Sequence, residues 1–207
     1  MKINNILLTG GSGLLGQELQ KHIKCDAPSH EKLDITRPFE FTYKKYDLII
    51  HAAAYTDVNR AETETEKLFE INLGGTLNLL YEYGLIPFVY ISSEYARNPV
   101  NMYSASKFAG EIAVKYLAEQ YLIIRTLFKD KWTLDTAWAD QYTQGDYVDV
   151  IAPLIVQTIK NWDGLSKTTY VGTGRKTMYD LAKRTKPDVM AVSINTYHGI
   201  KRPVDYL

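Results

Sequence analysis

Tyr103 and Lys107 stand four residues apart, just after an apolar run that ends in Ser92-Ser93. On a helix, side chains four apart share one face. An ammonium beside a phenol favours the phenolate and lowers the tyrosine pKa from its reference of about 10. The hydroxyl then moves toward the pH at which general acid catalysis works best. A serine hydroxyl at a strand end can donate to a carbonyl oxygen as that oxygen gains charge. Ser93 is assigned this role, and Ser92 a structural bond beside a cofactor. The spacing means little alone: with 16 tyrosines in the chain, chance gives about one Tyr/Lys pair of this kind. The chain has three, and only Tyr103/Lys107 opens a long predicted helix after a serine-ended strand. Tyr179/Lys183 and Tyr197/Lys201 are expected to be surface pairs.

A second patch, Thr9-Gly10-Gly11-Ser12-Gly13-Leu14-Leu15-Gly16, lies between a predicted strand and a predicted helix. Such a turn aims backbone N–H groups at an anion, helped by the helix dipole. Gly10 permits the turn, Gly13 lets a pyrophosphate approach, and Gly16 lets helix and sheet pack closely. This predicts a nucleotide cofactor beside a proton donor, hence redox chemistry at a carbonyl or carbinol carbon. A carboxylate ending the second strand would bind the adenosine ribose and disfavour a 2′-phosphate. Asp26 is one candidate. If the strand runs on to Ala27, the position falls on Ser29 or His30, which tolerate the phosphate. NADP is favoured over NAD on that count.

The elements that must position these residues follow from apolar periodicity. Strands are expected over Ile3–Thr9, Lys24–Pro28, Asp47–Ala54, Pro87–Ser92 and Tyr121–Thr126, with helices over Leu14–Ile23, from Asp57 or Asn59 to Tyr83, and over Asn101–Gln120. The run Glu62, Glu64, Glu66 reads as a solvated first turn. Lys129–Gly145 is expected to be irregular. It is followed by a helix over Val148–Ile159, a strand over Thr168–Val171, a helix over Lys176–Lys183 and a strand over Val189–Ile194. Alternating strands and helices predict an α/β fold, a Rossmann-like, doubly wound parallel sheet. Residues 1–127 form the NAD(P)-binding core and residues 128–207 a small C-terminal substrate lobe, within one compact unit.

The 24 basic and 24 acidic residues balance, with no basic stripe for nucleic acid or membrane surface. Cys25 is the only cysteine, which excludes an internal disulfide and fits a reducing compartment. Apolar runs are far shorter than the ~20 residues of a membrane span, and the first strand starts too early for a signal peptide. The expectation is a cytoplasmic protein. The four histidines, His22, His30, His51 and His198, form no metal-ligand pattern.

Further stretches complete the picture. They are Leu33-Asp34-Ile35-Thr36, His51-Ala52-Ala53-Ala54-Tyr55-Thr56-Asp57-Val58, Asn72-Leu73-Gly74-Gly75-Thr76, Ile91-Ser92-Ser93-Glu94-Tyr95 and Tyr103-Ser104-Ala105-Ser106-Lys107, with Asp140-Gln141-Tyr142 and Arg202-Pro203 in the C-terminal part. With the glycine turn, these resemble the extended short-chain dehydrogenase/reductases, and among them the dTDP-4-dehydrorhamnose reductase family. The resemblance implies a cofactor held by Gly10, Ser12, Gly13, Leu14, Leu15, Gly16, Asp34, Ile35, Ala52, Ala53, Ala54 and Ser92, with Asp34 by the adenine and Asn72 supporting the strand ends. It implies a catalytic triad of Ser93, Tyr103 and Lys107, the last also holding the nicotinamide ribose. Thr56, Val58, Ser93, Tyr95 and Arg202 would face a nucleotide-linked 4-keto sugar. A homodimer through the two long helices is also implied, with Gly74 and Gly75 admitting another backbone.

The chain departs from the family at several points. Nine residues separate Ser93 from Tyr103, where the family has a longer loop. Leu127-Phe128-Lys129-Asp130-Lys131-Trp132 lacks the family's aromatic-glycine pattern, and the family's last helix is missing beyond Leu207. These departures imply an abridged substrate lobe. They keep two alternatives in view: a sugar-nucleotide epimerase or dehydratase, using Glu94 as an acid, and a non-catalytic cofactor-binding regulatory subunit.

Overall fold

Leu7 and Leu8 are neighbours in sequence and both fully buried, yet they enter different core layers. Successive side chains on a strand point to opposite faces. A strand apolar on both sides must therefore lie in a sheet covered on both sides. The computed structural model describes residues 4–38 and 46–205 and shows that arrangement. The first half runs β1 (Ile6–Thr9), α1 (Leu14–Leu19), β2 (Leu48–His51), α2 (Thr65–Phe69), α3 (Gly75–Tyr83), β3 (Phe88–Ser93), α4 (Met102–Leu117) and β4 (Tyr121–Thr126). Four short strands follow: β5 (Phe128–Lys129), β6 (Thr136–Trp138), β7 (Tyr142–Thr143) and β8 (Asp146–Tyr147). The chain continues with α5 (Val148–Lys160), β9 (Lys167–Tyr170), β10 (Lys176–Thr177), α6 (Met178–Lys183) and β11 (Met190–Val192).

The central sheet has the order β1-β2-β3-β4-β9, parallel throughout. From β1 the chain first visits the sheet's outer edge at Asp26, then crosses back to β2 on the other side. That reversal is a topological switch point, where open α/β sheets bind ligands beyond the strand C-termini. Helices α1 and α5 cover one face through Leu15, Leu19, Ile151 and Ile155. On the other, α3 and α4 pack Leu79, Leu80, Ala113 and Val114 against Leu7, Ile49 and Ile123. Residues beyond 127 thus complete the central sheet, with β9 as its fifth strand and α5 as a cover. A third cluster, Trp132, Ala137, Met178, Ala182 and Val189, holds the C-terminal elements together.

Four expectations need correction. The expected strand over Lys24–Pro28 reduces to one bridge, in which Asp26 exchanges backbone hydrogen bonds with Ile6 and Leu8. The expected helix to Tyr83 is not continuous: a 3-10 turn over Arg60–Glu62 precedes α2, and a π turn over Glu70–Gly74 separates α2 from α3. Lys129–Gly145 is not irregular but contributes to three small two-stranded sheets, with strands too short for periodicity to reveal. The glutamates are not simply solvated. Glu62 accepts from the N–H of Met102 at 2.8 Å, and Glu64 from the hydroxyl of Tyr55 at 3.0 Å. Ile3, the expected start of the first strand, lies outside the described residues.

Candidate active site

Above the C-terminal ends of β1 to β4 opens a cavity of about 1190 Å³, with the glycine turn and the Ser93/Tyr103/Lys107 group on its wall. The turn is built for close approach. Gly10 has φ +74°, and a Cβ there would meet the backbone nitrogen of Ala53 at 2.6 Å. A Cβ on Gly16 would run into the Gly10 carbonyl, whereas one on Gly13 would meet only Gly10 O, at 3.3 Å. Gly13 caps α1 without a side-chain hydrogen bond, leaving first-turn N–H groups to an outside acceptor. This cradle fits the pyrophosphate of a dinucleotide. Ser12, Leu14, Leu15, Ile35, Ala52, Ala53, Ala54 and Ser92 also reach the cavity.

Two residues expected around the cofactor do not line it. Asp34 accepts from the N–H and hydroxyl of Thr36 at 3.0 and 2.8 Å, while Ile35 and Thr36 face the cavity. Asn72 is buried behind it. Its Oδ1 accepts from the N–H of Tyr55 at 2.7 Å, and its Nδ2 donates to Ser106 Oγ at 2.9 Å. Asp26 accepts from the Tyr46 hydroxyl at 2.6 Å and also lies outside the lining, which includes His30 instead.

Helix α4 carries the proton-handling groups. Asn101 and Ser104 form a reciprocal capping box at its start, which fixes the first turn and with it Tyr103. The row continues through Lys107 to Glu111, one turn apart each. Lys107 donates to the carbonyl of Ile91 at 2.9 Å and sits 4.3 Å from the Tyr90 ring centroid. Burial pulls its ammonium down to about 7, against the opposing pull of Glu111. Glu111 takes a two-pronged contact from Arg125, at 2.8 and 2.6 Å, and a 2.6 Å hydrogen bond from Ser92. Ser92 therefore makes the expected structural bond. Burial pushes the Tyr103 hydroxyl up to about 12, while its hydrogen bond with Ser93 works the other way. The expected lowering by Lys107 is absent because that ammonium is turned to Ile91.

Beneath this row runs a directional chain of buried hydrogen bonds. Thr76 donates to the Asn72 carbonyl at 2.7 Å, so its oxygen accepts from His51 Nε2, 3.0 Å away. His51 Nδ1 then accepts from Thr9 Oγ1 at 2.8 Å. His51 is held neutral, its pKa lowered to about 3 by burial and by the Lys107 charge.

At the far end, Thr56, Val58, Tyr95 and Arg202 line the cavity, as expected of substrate-facing residues. The Tyr95 and Tyr103 rings meet edge to face, with centroids 6.1 Å apart. Sequence reasoning missed Lys129, Trp132, Trp138 and Tyr197 there. Tyr197, expected on the surface beside Lys201, instead packs edge-on to Trp138 with centroids 5.3 Å apart. Glu94 does not line the cavity. It is buried and accepts from Thr143 Oγ1 at 2.6 Å and Gln144 N at 3.1 Å. Gly75 needs no second subunit to explain it, because a Cβ there would meet the Ile35 side chain at 2.6 Å.

Several known proteins are similar to this chain. The dTDP-4-dehydrorhamnose reductase of Mycolicibacterium smegmatis is 29% identical over 72% of this chain and 49% of its own length. The spore coat polysaccharide biosynthesis protein SpsK of Bacillus subtilis is 26% identical over 60% of this chain and 53% of its own. The chain thus spans about half the length of these curated relatives. Among solved structures, the dTDP-4-dehydrorhamnose reductase of Bacillus anthracis, in complex with NADP, superposes with a TM-score of 0.81 at 26% identity, covering 100% of this chain and 89% of that one. The Clostridium acetobutylicum protein described as a dTDP-4-dehydrorhamnose reductase gives 0.84 at 26% identity, covering 98% and 89%. The RmlD substrate binding domain family matches residues 4–131, more than half of the sequence, and the chain belongs to that family.

Proposed function

We propose that the chain is an NAD(P)H-dependent oxidoreductase of the short-chain dehydrogenase/reductase type, acting on a nucleotide-linked 4-keto sugar as in dTDP-rhamnose biosynthesis. The observation that carries this reading is the meeting of Ser93, Tyr103 and Lys107 in the same cavity as the glycine cradle. The reduced nicotinamide, when bound, supplies hydride to the C4 ketone. Ser93 and Tyr103 hydrogen-bond the ketone oxygen, and Tyr103 gives it a proton as negative charge grows. Lys107, held by the Ile91 carbonyl beneath the site, would anchor the nicotinamide ribose. Gly10, Gly13 and Gly16 seat the pyrophosphate. The adenosine end is lined by Pro28, His30, Leu33, Ile35 and Thr36, and among the described residues no carboxylate lines it to repel a 2′-phosphate, which favours NADP. Cys25 is a free thiol, which suits the cytoplasm. A homodimer through α3 and α4 is supported by exposed Tyr81, Ile112 and Tyr116 on these helices.

The test is oxidation of NADPH and of NADH against a panel of 4-keto sugar nucleotides. Turnover with any of them supports the reductase. Cofactor binding with no turnover on the whole panel rejects it and leaves a regulatory subunit. Engagement of Glu94 by Thr143 and Gln144 speaks against the dehydratase.

A further inference from the structure

Two cations, Lys129 and Arg202, line the substrate end of the cavity, and among the described residues neither is in an ion pair with a carboxylate. Lys129, on β5, lines the cavity with its ammonium 4.9 Å from the Trp132 ring centroid. Among the described residues no carboxylate forms an ion pair with it. Burial, and after it the like charge of Arg202, holds the Lys129 ammonium below its ordinary pKa. Arg202 donates to Asn59 Oδ1 at 2.6 Å, while its Nε is buried with no hydrogen-bond partner among the described residues. Asp57 is the one carboxylate among the lining residues. Its Oδ1 is occupied by the N–H groups of Asn59 and Arg60, each at 3.0 Å.

Charged groups withdrawn from water are stable only when paired. Two like charges sharing one pocket raise that cost further. An anion placed between them removes both penalties, and a neutral ligand removes neither. We infer that Lys129 and Arg202 form a two-pronged receptor for an anionic oxygen group of the substrate, a phosphate or a carboxylate. The inference rests on the reading of this cavity as the place where a substrate is reduced. It concerns this chain's own selectivity, because Lys129 lies in the stretch where the sequence departs from the family pattern. Trp132, Trp138 and Tyr197 supply flat apolar walls around the receptor. A substrate without the anion leaves both cations unpaired, so discrimination against it is strong.

The test measures Kd by calorimetry for dTDP, thymidine and glucuronate, with the parent and with Lys129→Met, Lys129→Arg and Arg202→Gln. NADP binding in each variant reports that the fold is intact. The expected result is a loss of dTDP affinity of about tenfold or more in Lys129→Met and Arg202→Gln. Lys129→Arg should keep the affinity, and thymidine should bind all four proteins alike. If glucuronate affinity falls and dTDP affinity does not, the receptor stands with a carboxylate as its ligand. The inference is overturned if neither affinity changes by more than about twofold while NADP binding persists. If Lys129→Met fails to bind NADP, the decision passes to Lys129→Arg and Arg202→Gln, and dTDP affinity unchanged in Arg202→Gln overturns the receptor. Turnover of the keto-sugar panel separates the two readings. Reduction with an unchanged KM in Lys129→Met removes the receptor and keeps the reductase. Lys129-dependent anion binding without turnover removes the reductase and keeps the receptor.

Discussion

Lys107 donates a hydrogen bond from its ammonium to the carbonyl of Ile91, 2.9 Å away on β3, and so is held by the sheet, not by Tyr103. Removing the Tyr103 hydroxyl should therefore leave Lys107 where it is. Tyr103→Phe is expected to lower kcat by about 100- to 10,000-fold, the usual worth of general acid catalysis. Cofactor affinity should stay within about twofold of the parent. Full activity in Tyr103→Phe would show that the proton comes from elsewhere. Tyr179→Phe, outside the cavity lining, is the silent control.

The Arg125–Glu111 pair predicts a stability effect separable from chemistry. Glu111 is fully buried, and Arg125 is nearly so. Removing one member of such a pair strands the other, at a cost of about 3–5 kcal/mol. Glu111→Ala should lower stability in urea by that amount. A loss under about 1 kcal/mol would mean that Arg125 finds water or another partner.

His51 gives a pH dependence with a definite sign. Its pKa is lowered from 6.5 to about 3 in the folded chain, so below 6.5 the unfolded chain takes up a proton that the folded chain refuses. The stability due to neutral His51 is present above that pH and is lost as pH falls toward 3, at about 1.4 kcal/mol per unit. The stability gap between the parent and His51→Gln should shrink over this window in denaturant titrations. A gap constant with pH would rule out the neutral, doubly bonded imidazole.

Gly110 and Tyr90 form a tight pair across helix and sheet. A Cβ on Gly110 would collide with the Tyr90 hydroxyl. Overpacking of this kind costs about 1–3 kcal/mol, so Gly110→Ala should be destabilised by that much. Tyr90→Phe removes the colliding oxygen, and the double variant should recover part of the loss. Additive losses in the double variant would place the collision elsewhere.

These cases also mark what could be read from the sequence. The parallel sheet, the glycine cradle and the Tyr103/Lys107 face are legible because they depend on local periodicity. The direction in which Lys107 points is not, since it depends on a carbonyl sixteen residues earlier in the chain. Asp26 looks available for a ribose until Tyr46, twenty residues on, takes its carboxylate. Strands of two or three residues, such as β5 and β7, are too short to carry a period-two signal. Lys129 and Arg202 are far apart in sequence, and no spacing rule brings them together.

Residues 201 and 202 run back to the start of α4. Asn101, which caps α4, donates to the carbonyl of Lys201, and Arg202 reaches Asn59 across 143 positions of sequence. Contacts between such distant segments form late, because a long loop must close first. During synthesis the glycine turn leaves the ribosome long before these residues do. A nascent chain can thus form the glycine cradle while the opposite wall of the cavity is still unmade. The two ends of the cavity are thus completed at different times, the glycine end first and the Arg202 end once residues 201 and 202 have docked.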